Sequence, residues 1–334
     1  AGLRGASAWS AVAWLSLLYG LVTAVLLVLG RLLGDRTWWL YVANLTVVYW
    51  LAPSVVVAVV ALLRRWWLVA MACVVGAVVW LGTFGPMFVP QQAPTTTDTL
   101  RVATYNISPQ RDVDHVARLV DRTRADVLLI QEVLPEAQDT LIGSLPTLPY
   151  HHFAPVNARA PGGGGTAVFS RLPITATRPV TGLPSNSRPT DLVTLDTGRG
   201  AVTVVSLHLT SPCAACQRSA DATPWRSALE DEARTRQVEV ERVAAALPAG
   251  PLVVGGDLNS STFNVPRRRL LATGLTDLHR AAGSGPGFTR FRWHGLVRID
   301  WLLASRDITA VREWVERRDG SDHRAVVTDV AVPG

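Results

Sequence analysis

The sequence predicts an α+β chain in two parts: three N-terminal transmembrane helices, then a four-layer α/β sandwich in which helices flank two facing β-sheets. Three observations predict it. Charge is segregated, since residues 1–99 hold five Arg and two acids (Asp35 and Asp98), whereas residues 100–334 hold 27 Arg and 24 acids. Long uncharged apolar runs are confined to the first part. From residue 100 onward, short strand-like runs alternate with turns, and long helical patterns are few. The 334 residues are 49% apolar and 17% charged. About 25% charged is usual for soluble proteins, so this composition excludes a disordered or low-complexity chain and is unusual for a wholly soluble one.

The apolar runs are Ala8–Gly30, Trp38–Leu63 and Trp66–Val89, of 23, 26 and 24 residues. About 20 helical residues cross a hydrocarbon core of about 30 Å, so each run is long enough to span. A signal peptide is shorter and occurs once, which does not explain three runs. Trp38, Trp39, Trp66 and Trp67 lie at run ends, where amphipathic rings favour the interface. Pro53 predicts a kink in the second run, and Asn44 predicts a contact with a neighbouring helix. Arg4 and Arg64–Arg65 fall on one side, Arg31 and Arg36 on the other. That bias places the N-terminus and second loop in the cytoplasm and everything after Val89 outside. Residues 90–99 (PQQAPTTTDT) read as a linker that spans at most about 35 Å.

The soluble part, residues 100–334, reads as one domain. Leu100–Ile107 is strand-like, Asp112–Arg124 has helical periodicity, and Asp126–Ile130 is a buried-strand run. Further strands are expected at Thr166–Ser170, Leu192–Asp196, Val202–Leu209, Leu252–Val254, Arg298–Leu303 and Arg324–Val332. One long amphipathic helix is expected over Pro224–Leu247, stopped by Pro-Ala-Gly-Pro. Gly162–Gly165 reads as a flexible loop; it lacks the Lys-Ser/Thr ending of a phosphate-cradling loop.

Polar residues recur where apolar strands end. Asn106 ends the first strand and Glu132 the second (LLIQEV). His208 lies in SLHL, Asp257 and Asn259 in VVGGDLN, Asp300 in RIDWLL, and Asp322 with His323 in SDHRAV. An acid inside an apolar strand is costly unless paired or bound to metal. One such residue is readily a structural cap. Six such sites at strand ends point to a shared cleft on a rigid scaffold.

In order, TYN, QE, SLHL, GDLN, RID and SDH resemble the endonuclease/exonuclease/phosphatase superfamily, the DNase I-like fold shared by sphingomyelinases and inositol polyphosphate phosphatases. The resemblance covers residues 100–334 and includes the phrase SRLPI at Ser170–Ile174. It implies that Glu132 is the chief ligand of Mg²⁺, or Mn²⁺, with Asn106 and Asp322 in the same metal site. It implies that His323 is the general base or a phosphate-binding group, oriented by Asp300. By the same resemblance Asp257 and Asn259 position the nucleophilic water and a phosphate oxygen, and His208 donates to a non-bridging oxygen. Arg171 is a further phosphate-binding candidate, with turn capping as the equal alternative. The superfamily commonly pairs the His of SLHL with an upstream Glu. Here no Glu lies between Gln138 and Ser206, which leaves the partner of His208 open.

Cys213 and Cys216, three residues apart in Cys-Ala-Ala-Cys, predict a small disulfide if the domain lies outside the cell. Arg267–Arg269 reads as a solvated or headgroup-facing cluster. The net charge of +6 divides evenly at the linker, too weak a field for a non-specific nucleic-acid binder, so no nucleic-acid partner is expected. The tethered architecture resembles the VanJ-type membrane phosphatases of actinomycetes, named for a teicoplanin-resistance protein. That resemblance implies hydrolysis of undecaprenyl (polyprenyl) pyrophosphate to the monophosphate, recycling the carrier lipid of peptidoglycan synthesis, with glycopeptide resistance as a consequence. The expected partners are a lipid-linked pyrophosphate and membrane lipids. The expected location is the cell membrane of an actinomycete-like bacterium, multi-pass, with the catalytic domain extracellular. Alternatives are a phospholipase C or sphingomyelinase-like phosphodiesterase, an anchored extracellular nuclease, and a catalytically silent lipid or glycopeptide receptor.

Overall fold

Four helices account for the described N-terminal residues: α1 (Ala11–Leu33), α2 (Trp38–Leu45), α3 (Val47–Leu63) and α4 (Trp67–Phe84), the last extended by a 3₁₀ turn at Gly85–Phe88. The structure, a computed structural model, describes residues 11–89, 98–110, 113–160, 164–212, 225–290 and 296–333. The chain divides into two units, Ala1–Val89 and Pro90–Gly334.

In the first unit, Ala11–Leu33 and Trp67–Phe88 are long and apolar enough to cross a membrane. The second predicted run is not one helix, because α2 and α3 meet at a 63° bend. The bend lies at Thr46 and not at Pro53, around which α3 continues. Side chains explain how the break is tolerated. Thr46 Oγ1 donates to Val42 O at 2.8 Å, Trp50 Nε1 to Ala43 O at 2.7 Å, and Trp80 Nε1 to Val48 O at 3.1 Å. Carbonyls near a break in an apolar medium need such internal donors. Asn44 does reach the preceding segment: its Nδ2 donates to Asp35 Oδ1 at 2.8 Å and to Gly34 O at 3.3 Å, in the turn after α1.

The second unit opens with β1 (Leu100–Asn106), α5 (Asp114–Thr123), β2 (Val127–Val133), α6 (Gln138–Ser144), β3 (Tyr150–Phe153), β4 (Gly165–Ser170) and β5 (Ile174–Pro179). It continues with β6 (Asp191–Asp196), β7 (Ala201–His208), α7 (Trp225–Ala246), β8 (Leu252–Asp257), α8 (Val265–Ala272), β9 (Thr276–Asp277), α9 (Leu278–Ala282), β10 (Asp300–Ala304), β11 (Thr309–Val315) and β12 (Val326–Ala331). These strands form two six-stranded sheets, ordered β11-β12-β1-β2-β4-β3 and β5-β6-β7-β8-β10-β9.

Alternation along the strands builds the layers. Val127 and Leu129 of β2 face the second sheet, packing with Val204, Val253 and Leu302. Leu128 and Ile130 face outward onto Val116 and Leu119 of α5 and Leu141 of α6. On the far side Val205, Val254 and Trp301 pack under Val240 and Val243 of α7 and Leu270 of α8. Central strands are thus apolar on both faces, which is why they read as continuous apolar runs. The Arg267–Arg269 cluster is not uniformly solvated. Arg267 is buried, donates to Asp277 Oδ2 at 2.7 Å, and stacks 4.4 Å over the Trp301 ring.

Candidate active site

Strand register assembles the predicted residues at one end of the sandwich. β1 and β2 run parallel with Asn106 opposite Gln131, so Glu132 follows immediately at the same edge. In the second sheet His208 of β7 lies opposite Asp257 of β8, and Asp257 opposite Asp300 of β10. His323 precedes β12, and an isolated antiparallel bridge pairs it with Arg290.

The motif residues that carry no charge build the floor. Gln131 Nε2 donates to Thr104 Oγ1 and to Ser206 Oγ, each at 3.1 Å, tying the two sheets beneath the site. Ser321 Oγ donates to Asn106 O at 2.7 Å and accepts the His323 backbone N–H at 3.0 Å, which fixes the SDH turn. Two glycines are dictated by space. Gly256 has φ +145°, and a Cβ there would lie 1.8 Å from Leu207 O; a Cβ on Gly164 would lie 2.5 Å from Glu132 Cα. Glu132 and Asn259 themselves hold positive φ, +66° and +47°. Strain of this kind concentrates at functional sites.

Asn106 Nδ2 donates to Glu132 Oε1 at 3.1 Å and to Asp257 Oδ2 at 3.0 Å. His323 Nδ1 meets Asp300 Oδ2 at 2.9 Å, leaving Nε2 3.7 Å from Asp257 Oδ2 and 4.0 Å from Asp322 Oδ1. Asp322 accepts Ser108 Oγ at 2.7 Å and Arg290 Nη2 at 3.2 Å. Asn259 donates its backbone N–H to Asp257 Oδ1 at 2.7 Å and Nδ2 to Leu209 O at 2.9 Å. His208 Nε2 stands 3.7 Å from both Glu132 Oε1 and Asp257 Oδ2. Among the described residues, neither of its ring nitrogens makes a hydrogen bond. Asp191, an acid upstream of SLHL, is used by His152 Nε2 at 2.7 Å.

Arg171 lies elsewhere. It follows β4, which runs antiparallel to β2 with Ser170 opposite Val127, so it emerges at the end of β2 away from Glu132. There its Nε donates to Asp126 Oδ1 at 2.8 Å, so the structure does not bring Arg171 together with the other predicted site residues. Cys213 and Cys216 lie outside the described residues.

The electrostatics follow from crowding. Burial and the neighbouring Asp300 carboxylate push Asp257 up to about 6. Burial opposes charge on His323, but Asp300 and Asp257 outweigh it and raise that imidazole to about 9. Burial, then the positive charges of Arg188, His323 and Arg290, hold His208 well below the ordinary imidazole value. Arg188 and Arg290 were not among the motif residues; no apolar strand or short motif marks either one.

The donor set fits a hard divalent cation. Asp257, Asp300 and His323 bring ligand atoms within 4.8 Å of one another. Glu132 adjoins them, and the unbonded His208 nitrogens are buried polar atoms of the kind that ligands satisfy. Oxygen-rich sets of this type suit Mg²⁺-class ions.

A sequence profile described as the Endonuclease/Exonuclease/phosphatase family matches residues 103–323. No curated protein sequence matches the chain. Among solved structures, an endonuclease/exonuclease/phosphatase from Beutenbergia cavernae is similar at 22% identity and TM-score 0.56, over 71% of this chain and 72% of that one. The human Nocturnin catalytic domain with bound sulfate is similar at 18% identity and TM-score 0.53, over 70% and 94%. Humanized D. rerio TDP2 is similar at 13% identity and TM-score 0.54, over 70% and 99%. These likenesses concern the fold.

Proposed function

The chain belongs to the endonuclease/exonuclease/phosphatase family, and from that premise we propose that it is a membrane-anchored, metal-dependent phosphohydrolase converting polyprenyl pyrophosphate to the monophosphate at the outer membrane face. Membership makes it a hydrolase of the phosphoesterase type. One observation carries the finer reading: the cluster of Asp257, Asp300 and His323 beside Glu132 stands on the same chain as helices apolar enough to cross a membrane. A hydrolytic site tethered to a bilayer meets lipid headgroups before it meets genomic DNA.

A divalent cation held by Glu132 with Asn106 and Asp322, and not by the neighbouring Asp257–Asp300–His323 group, would neutralise charge on the phosphoryl oxygens and leave His323 Nε2 free for proton transfer. His323 takes a proton from the attacking water at Nε2, while its Nδ1–H stays on Asp300. Asp257 lies 3.7 Å from that Nε2 and orients the water. His208 Nε2, buried and without another hydrogen bond among the described residues, serves a non-bridging oxygen.

The test is release of inorganic phosphate from C55 pyrophosphate by the full-length protein, with and without EDTA. Release that needs metal, and that Glu132→Gln and His323→Ala abolish in folded protein, is the expected result. Release of a soluble phospholipid headgroup instead assigns a phospholipase C-like enzyme, and plasmid nicking assigns a nuclease. A reporter active only in the cytoplasm, fused after Gly334, should be silent; activity overturns the outer-face placement. In a susceptible host, expression should raise tolerance to teicoplanin.

A further inference from the structure

We propose that Arg188 and Arg290 form a two-guanidinium clamp that selects substrates whose scissile phosphate carries a second phosphate, a diphosphate monoester in preference to a phosphodiester. The clamp rests on the phosphohydrolase reading above and adds the residues that set substrate choice.

The two arginines reach the cluster from different connections. Arg188 lies between β5 and β6, is 3% exposed, and donates Nε to Gly164 O at 3.2 Å. Gly164 packs directly against the Glu132 backbone, so this contact fixes Arg188 close to Glu132. Arg290 lies between α9 and β10. Its backbone pairs with His323, and its Nη2 donates to Asp322 Oδ2 at 3.2 Å. One guanidinium therefore stands by Glu132 and the other by Asp322 and His323, with Asp257 near both groups of residues.

The charge of this cluster decides what it can accept. Asp191, the acid upstream of SLHL, is committed to His152. The guanidinium on the Glu132 side of the cluster is Arg188, held there by Gly164 O. A planar guanidinium offers paired N–H donors matched to phosphate oxygens. A phosphodiester carries one negative charge, which a divalent cation at the carboxylates already meets. A diphosphate monoester carries more than one charge and a second phosphate's oxygens. Two fixed guanidiniums in addition to a metal complement that second group.

The test uses the full-length protein in detergent micelles with saturating Mg²⁺. Calorimetric titrations compare inorganic pyrophosphate with inorganic phosphate. Initial rates compare a polyprenyl diphosphate with bis(p-nitrophenyl) phosphate. In the wild type, pyrophosphate should bind at least about tenfold more tightly than phosphate. R188M and R290M should each shrink that margin and lower kcat/KM for the diphosphate about tenfold more than for the diester. R188K and R290K should recover part of the loss. Equal loss on both substrates overturns the clamp. So does a wild type that binds pyrophosphate no better than phosphate, a result that needs no variant to fold. A wild type that spares the polyprenyl lipid yet keeps the pyrophosphate margin overturns the lipid reading and leaves the clamp standing.

Discussion

Asn106 and Asp257 are joined across the sandwich: Nδ2 of Asn106, at the end of a strand in one sheet, donates to Asp257 Oδ2, at the end of a strand in the other, at 3.0 Å. The same amide holds Glu132 at 3.1 Å. One side chain thus sets the spacing between two carboxylates contributed by different layers.

Asn106→Ala should therefore lower kcat by about 10²-fold, the usual scale for a displacement of about 1 Å in a reacting group. Its cost in stability should be about 1–3 kcal/mol, for a buried acceptor left short of a donor. Asn106→Asp places a third carboxylate against the other two and should melt lower than the Ala variant. Rates and thermal melts of the two variants check the order.

Asp300 raises the basicity of His323, with burial acting against it. Removing that carboxylate in Asp300→Asn should move the acid limb of the kcat/KM profile to lower pH, because the imidazole then loses its proton more readily. The plateau rate should also fall. An unmoved limb would take His323 out of the proton transfer.

Asp277 is buried between Arg267 and Arg298, with contacts of 2.7 and 3.0 Å. Burial alone would raise its pKa, but the two guanidiniums overcome it and hold the carboxyl well below the usual range. A depressed carboxyl contributes stability that is complete above its unfolded pKa of about 4 and is lost as pH falls below that. Asp277→Asn strands two buried cations and should cost about 3–5 kcal/mol at neutral pH. Urea unfolding between neutral and acid pH should show a shallower acid decline in the variant than in the wild type.

Asp257 is pushed up to about 6 by burial and by Asp300, the signature of like charges forced together. A divalent cation relieves that repulsion, so Mg²⁺ should raise the melting temperature and EDTA reverse it. At 100 times Kd the gain is about 2.7 kcal/mol by mass action. Asp257→Asn should shrink the shift, and a melt indifferent to Mg²⁺ in the wild type argues against a metal at this cluster.

How legible each part was follows from burial. The strands missing from the sequence reading, β3, β5, β9 and β11, are the four sheet edges. β5 is exposed along nearly its whole length, so it shows no apolar run to read. β2 is buried on both faces and stood out as DVLLI. Of the site, Asn106, Glu132, His208, Asp257, Asp300 and His323 were readable because each interrupts or ends such a run. Arg188 and Arg290 sit in connections, where an arginine is the ordinary residue and only the fold shows what it approaches. Arg171 leaves two readings open in the sequence because the register that carries it to the far end of β2 is not written locally. The bend at Thr46 was likewise hidden: Pro53 is the obvious breaker, whereas the donors from Trp50 and Trp80 belong to tertiary packing.

Glu132 holds φ +66°, with Gly164 filling the space against its backbone. For any residue with a Cβ that conformation costs about 1–2 kcal/mol, and glycine escapes the charge. Selection for heat resistance alone would thus be drawn to Glu132→Gly, a change that relaxes the chain and removes the carboxylate in one step. Directed evolution of this protein for robustness needs a turnover screen beside the thermal one, because at position 132 the two objectives point in opposite directions.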